Sequence, residues 1–164
     1  MKFKDYKKNQ CTVEKLYENK CAKISEISKS SGIYMLEFPD DKSTIDFNES
    51  SKDKDNKYSI ENLKEKFNKG NGKIVYIGKA TSKKGGLRKR LGDYIKYAYG
   101  KNVSHRGGRA VWQIQGWEKL KVYWYPMHDA DAAKDLEAKL QIKYKKNNKT
   151  LPLANWREEK IKAK

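Results

Sequence analysis

The sequence predicts a small mixed α/β domain built around one core. The chain has 164 residues, which fits a single domain with short arms and leaves little room for two independent cores. Three short apolar or alternating runs of strand character are separated by stretches with helical periodicity. Aromatic residues make up 12% of the chain, core material that a disordered basic tail lacks.

Residues 1–30 are expected as a helical arm, because Val13, Leu16, Tyr17, Ile24 and Ile27 recur at spacings near three and four over 13–27. The main domain is placed at 31–164. It opens with the apolar run SGIYMLEFP, a buried strand from Ile33 to Phe38 closed by Pro39. An insertion follows at about 39–72. Its first part, between Asp40 and Lys57, is polar and poor in core residues, a surface excursion, after which Ser59 caps a short helix carrying Ile60, Leu63 and Phe67. The turn KGNGK resets the chain for a second strand, Lys73 to Ile77.

Beyond a Lys- and Gly-rich loop, Leu87, Leu91, Tyr94, Ile95 and Ala98 fall on one face of a helix that tolerates Gly92. The segment SHRGGR is a loop. Leu120, Val122 and Trp124 then alternate with polar neighbours as a third strand, closed by Pro126. Asp129 or Asp131 caps a final helix whose buried stripe is Ala133, Leu136, Leu140 and Tyr144. The remaining tail has a loop around Pro152 and a basic end.

Composition narrows the function. No run approaches the roughly 18 apolar residues of a membrane span, and MKFKDYKKNQ lacks the apolar stretch of a secretory signal, so a soluble, cytoplasmic protein without a membrane partner is expected. Cys11 and Cys21, with only His105 and His128 beside them, are too few for a zinc site and read as free thiols of a reducing compartment. The 38 Lys+Arg against 21 Asp+Glu leave +17, which favours a polyanionic partner, because cations that neutralise phosphates release condensed counterions. A Lys-rich composition beside Asn and Ile is also what an AT-rich genome produces, so charge alone does not decide the matter.

Two triplets decide more. Gly32-Ile33-Tyr34 and Tyr76-Ile77-Gly78 each fall at a predicted strand. Gly and Tyr each occur 11 times, as does Ile, so both triplets together are expected by chance only roughly 0.002 times. The pair resembles the GIY-YIG nuclease family, in motif detail its excision-repair branch. The resemblance runs from about Ser31 to Trp156. Tyr76-Ile77-Gly78-Lys79-Ala80 is followed by Leu87-Arg88-Lys89-Arg90-Leu91-Gly92-Asp93-Tyr94, similar to that branch's second triplet and its L-x-x-R-L-x-x-Y helix, with a slightly longer loop between. Leu136-Glu137-Ala138-Lys139-Leu140 is similar to the helix bearing the family's acidic metal ligand, and Pro152-Leu153-Ala154-Asn155 to its closing Pro and Asn.

The resemblance implies a central three-stranded antiparallel sheet flanked by helices and a metal-dependent endonuclease that hydrolyses DNA in repair or restriction. The chemistry of the residues agrees. Phosphodiester hydrolysis requires a deprotonated water, neutralisation of charge on the phosphoryl oxygens and help for the leaving oxygen. Arg90 offers a planar, always charged fork to phosphate, and Lys79 a second cation. Glu137 is the expected ligand of Mg²⁺ or Mn²⁺, which keeps several waters and touches phosphate. Either Tyr34 or Tyr76 supplies the general base, with Tyr94 orienting a phenol and Asn155 bracing Glu137 or the loops. Gly32 and Gly78 are tight-turn or close-approach glycines.

Arg88 and the loop residues His105, Arg106 and Arg109 are candidates for nucleic-acid contact, with DNA the expected partner and RNA the alternative. His105 is also a minor candidate for general acid. Plainer readings stand beside these. Glu118 is the weaker alternative acid, His128 a loop residue, and Trp112, Trp117 and Trp124 core rather than base-stacking residues. The rival function is a non-catalytic basic nucleic-acid-binding module that retains the fold. One catalytic centre cuts one strand, so double-strand cleavage by a monomer would take two events and by a homodimer one.

Overall fold

A computed structural model describes residues 3–7, 9–39, 45–49, 58–70, 72–103 and 108–159. Its architecture is mixed α+β, with helices on both faces of one antiparallel sheet. The elements are β1 (Asn9–Thr12), α1 (Val13–Ser25), β2 (Ser31–Glu37), α2 (Ile60–Lys69), β3 (Ile74–Ala80), α3 (Gly86–Ala98), β4 (Lys121–Met127) and α4 (Ala130–Asn148). Short 3₁₀ turns lie at Phe3–Tyr6, Arg109–Gln113 and Trp117–Lys119. No helix among the described residues is long and apolar enough to cross a membrane.

The strand order is β1-β4-β2-β3, so the sheet has four strands where three were expected. The added strand is β1, whose four residues pair with Lys121–Trp124 of β4. Residues 1–30, expected as a helical arm, thus contribute a strand as well as α1. Val13, Leu16, Ile24 and Ile27 are buried in the main core, which is where their spacing points them.

Alternation along the three longer strands builds two cores. Tyr34 and Leu36 of β2, Tyr76 and Ala80 of β3, and Val122 and Trp124 of β4 face α1 and α3, where Leu87, Leu91, Tyr94 and Ile95 meet them. Ile33 and Met35, Ile77 and Tyr123 face the other way, against Leu136, Leu140 and Tyr144 of α4. The register shifts between Leu36 and Glu37, which leaves Val75 unopposed between Ile74 and Tyr76, a one-residue bulge.

Element bounds differ from the expected ones where pairing overrides local signals. β3 continues through Gly78 to Ala80 because Gly32–Tyr34 lies opposite and completes its ladder. β4 runs one residue past Pro126, since β1 ends opposite Trp124 and leaves that flank of β4 without a partner strand. Caps form as expected at Ser59, whose Oγ accepts from Asn62 N, and at Asp129, whose side chain accepts from Asp131 N.

Part of the 39–72 insertion lies outside the described residues. Residues 45–49 dock beside the 3₁₀ turn at Arg109–Gln113, with Asn48 N donating to Gln113 O at 2.7 Å and Gln115 N to Asp46 O at 2.8 Å.

Candidate active site

Pairing of β2 with β3 brings the two triplets side by side, with Tyr34 opposite Gly78 and Gly32 opposite Ala80. A Cβ on Gly78 would lie 2.6 Å from Cζ of Tyr34 and 2.8 Å from Cε1 of Tyr76, so the Tyr34 ring lies across the glycine. A Cβ on Gly32 would meet the Tyr125 carbonyl at 2.3 Å, which makes both close-approach positions. The rings of Tyr34, Tyr76 and Tyr94 form a triangle with centroid separations of 5.7 to 5.9 Å. Trp112 closes it from behind, 4.5 Å from Tyr94.

Three phenols are therefore buried together. Burial raises the pKa of all three above the ordinary tyrosine value. Tyr34 differs from the others in its opposing influences. Both the Arg90 guanidinium and the Tyr76 hydroxyl lie close enough to favour its anion, while Glu137 opposes it. Its hydroxyl is enclosed and makes no hydrogen bond of ordinary geometry. Tyr94, expected to orient a phenol, instead donates its hydroxyl to Gly108 O at 3.0 Å. It pins the chain that returns to the Arg109–Gln113 turn, while its ring supports the other two.

Helical geometry separates the two arginines of α3. Positions 88 and 90 lie about 200° apart around the axis. Arg90 faces the phenols; burial would lower its pKa, but Tyr34 and Tyr76 more than compensate and raise it. Arg88, expected to contact nucleic acid, points to the other side and donates Nε to Ile27 O at 2.7 Å. It ties α3 to the end of α1. Leu87 N and Arg88 N are also taken up, by Ser30 O and Ser28 O at 2.9 and 3.0 Å.

Glu137 lies on the opposite face of the sheet, on the buried side of α4, only 4% exposed. On its own helix the residue one turn on is Gln141, so no basic residue at i+4 can pair with it. Its partner comes from β3, where Lys79 shares the α4 face with Ile77 and makes an ion pair with Glu137 Oε2. Burial pushes the Glu137 carboxyl up to about 7, outweighing the lowering by Lys79. Burial pulls Lys79 the other way, yet its bonds to Glu137 and Glu159 raise it above the ordinary value. Charges couple around the strand, since Glu137 raises Tyr34 and Tyr76 and Arg90 lowers Glu137. The candidate site therefore straddles β3, the sheet's outer strand, with phenols and Arg90 on one face and Lys79 and Glu137 on the other.

Asn155 is the element that closes this strand. It accepts from Ile77 N at 2.9 Å through Oδ1 and donates Nδ2 to Ile77 O at 2.8 Å. Ala154 N adds a bond to Val75 O at 2.8 Å. Asn155 therefore braces the outer edge of the second triplet, and these bonds go to the strand rather than to Glu137 or the loops expected of it.

The remaining expectations scatter. His105 and Arg106 lie outside the described residues. The Arg109 guanidinium sits 5.4 Å from the Tyr97 ring. Glu118 lies on the turn at Trp117–Lys119, where its charge adds to the burial that raises Tyr99, and His128 is exposed ahead of α4. Trp112 and Trp124 are core residues and Trp117 packs on the core, as their plainer reading had it.

Two residues absent from the sequence reading join the site. Glu159 Oε2 lies 2.9 Å from Lys79 Nζ, and its backbone N donates to the buried Gln141 Oε1 at 3.2 Å. An acidic pair inside the basic tail NWREEKIKAK was the one local signal for it. Compared with models of known families, with curated proteins and with solved structures, the chain matches none.

Proposed function

We propose that this protein is a metal-dependent endonuclease that hydrolyses phosphodiester bonds of DNA with the residue set of the GIY-YIG family. The observation that carries the reading is the convergence on β3 of Tyr34, Tyr76, Arg90, Lys79 and Glu137, from two strands and two helices far apart in the chain. A packing cluster has no need of a guanidinium between buried phenols and a buried carboxylate within the same field.

In this reading Arg90 binds the scissile phosphate and stabilises the charge that grows on its oxygens. Tyr34 is the better general base of the two phenols, because Arg90 and Tyr76 both favour its anion and no acceptor already holds its proton. Burial keeps it protonated in the resting protein, so it acts as base only after its phenol proton has passed to solvent water, a loss that Arg90 favours and that a bound cation would favour further. Tyr76 orients Tyr34. Lys79 contributes a second cation from the Glu137 face of the same strand.

The donor set fits a hard cation such as Mg²⁺ or Mn²⁺. Glu137 supplies carboxylate oxygens, and no group of three or more His, Cys, Asp or Glu that could hold a metal occurs among the described residues, so water and phosphate would complete the shell. When bound there, the cation would supply Lewis-acid stabilisation of the phosphoryl and leaving oxygens.

The test is nicking of supercoiled plasmid and cutting of single-stranded DNA with Mg²⁺, Mn²⁺ or EDTA, comparing wild type with Glu137→Ala and Arg90→Ala. Metal-dependent cutting lost in both variants supports the reading. Salt-sensitive binding without cutting would favour the non-catalytic binding module instead, and equal cutting by all three proteins would remove Arg90 and Glu137 from the chemistry.

A further inference from the structure

After Asn155 the chain leaves β3 and runs along α4, and its attachments change in kind. Trp156 is clamped, its ring stacked on Tyr58 at 4.7 Å and 3°, with Lys66 Nζ 4.4 Å from its centroid. Tyr58 is held in turn by the side-chain amide of Gln113, which accepts from Tyr58 N at 2.9 Å and donates to Tyr58 O at 2.8 Å. This aromatic contact holds Trp156, although the residue remains 38% exposed.

Beyond it the observed contacts are polar and lie near the surface. Glu158 pairs with Lys145 at 2.6 Å, Glu159 N donates to Gln141, and the Glu159 carboxylate reaches Lys79 at 2.9 Å. Glu158 and Glu159 remain 39% and 46% exposed, and exposed ion pairs are individually weak. Residues 157–159 can therefore lift from α4 while Trp156 stays seated.

Their position gives the contact meaning. Glu137, Gln141 and Lys145 follow one another at one-turn spacing along α4, and Lys79 stands beside the first of them. The tail lays two successive carboxylates on the two cations of this row.

We propose that residues 157–159 are a pseudosubstrate strap, in which the carboxylates of Glu159 and Glu158 occupy on Lys79 and Lys145 the places of two backbone phosphates of a DNA strand. The inference takes its ligand from the nuclease reading. DNA must displace the strap, and the closed state lowers apparent affinity by the fraction of molecules that it holds. Lys145 accordingly belongs to the DNA-binding surface, which the sequence pattern did not mark.

Binding of a fluorescein-labelled DNA duplex, followed by anisotropy in EDTA, tests this without requiring cleavage. The variant Glu158→Gln/Glu159→Gln is compared with Glu14→Gln/Glu18→Gln, which changes net charge equally on the exposed face of α1. The strap variant should bind about tenfold tighter than the control variant. Equal affinities for the two variants would overturn the strap while leaving the nuclease reading to the cleavage assay. Absence of DNA binding by every form would overturn both. A strap-specific gain in a protein that never cuts would support the strap and sink the proposed chemistry.

Discussion

The Tyr34 ring occupies the space that a side chain at position 78 would need, its Cζ 2.6 Å and its hydroxyl oxygen 2.8 Å from the site of a Cβ on Gly78. The last residue of one triplet is thus a glycine because the last residue of the other is a tyrosine. Gly78→Ala should force that ring aside within a closed core, at about 2 kcal/mol in stability, a typical overpacking effect. DNA cutting should be lost as Tyr34 moves off Arg90. Urea denaturation with the nicking assay checks both, and a wild-type midpoint would show that the ring yields freely.

Tyr34→Phe separates chemistry from stability. The Tyr34 hydroxyl is buried beside Arg90 and Tyr76 with no hydrogen bond of ordinary geometry. Removing it should change stability by no more than about 1 kcal/mol, because its desolvation cost and its contacts with Arg90 and Tyr76 are lost together. Cutting should fall by about 10²-fold or more if that oxygen is the general base. A well-folded Phe variant with full activity would move the base to Tyr76.

These two residues also show how far the sequence could be read. The strands of Tyr34 and Tyr76 and the helices of Arg90 and Glu137 were legible from their apolar patterns, the triplets from their rarity and the resemblance, and Gly78 was expected one residue past the end of its strand. β1 was not, because Asn-Gln-Cys-Thr carries no alternation and is a strand only through its pairing with β4. Arg88 matched the basic context as well as Arg90 did, and only the helix angle and the Ile27 carbonyl assign it to structure. Lys79 and Glu137 are 58 residues apart and Lys79 and Glu159 come from opposite parts of the domain, contacts that no local spacing encodes.

Glu137 should make stability depend on pH with an unusual sign. Its carboxyl is raised from an ordinary 4.5 to about 7 in the fold, so between those values the native state binds a proton that the unfolded chain releases. Stability then falls as pH rises through that window. A shift of 7 − 4.5, about 2.5 units, corresponds to at most about 3 kcal/mol. Glu137→Gln removes this slope, so its Tm relative to wild type should improve between pH 5 and pH 8. Parallel Tm curves for the two proteins would show that Lys79 keeps the carboxylate ionised throughout.

Asn155 supplies to Ile77 what a fifth strand would, one acceptor for its N–H and one donor for its carbonyl. Asn155→Ala leaves both backbone groups buried and unmatched, at about 3 kcal/mol for two lost bonds and the desolvated partners. Asn155→Asp can still accept from Ile77 N but sets a carboxylate oxygen against Ile77 O, so it should recover only part of that loss. The direct measurement is amide hydrogen exchange, in which Ile77 should be protected in wild type, unprotected in the Ala variant and intermediate in the Asp variant. Cutting should fall in the same order, because Ile77 lies between Tyr76 and Gly78 and a frayed edge there loosens the seat of the Tyr34 ring. If Ile77 stays protected in Asn155→Ala, water or a neighbouring group replaces the amide and the strand does not depend on Asn155.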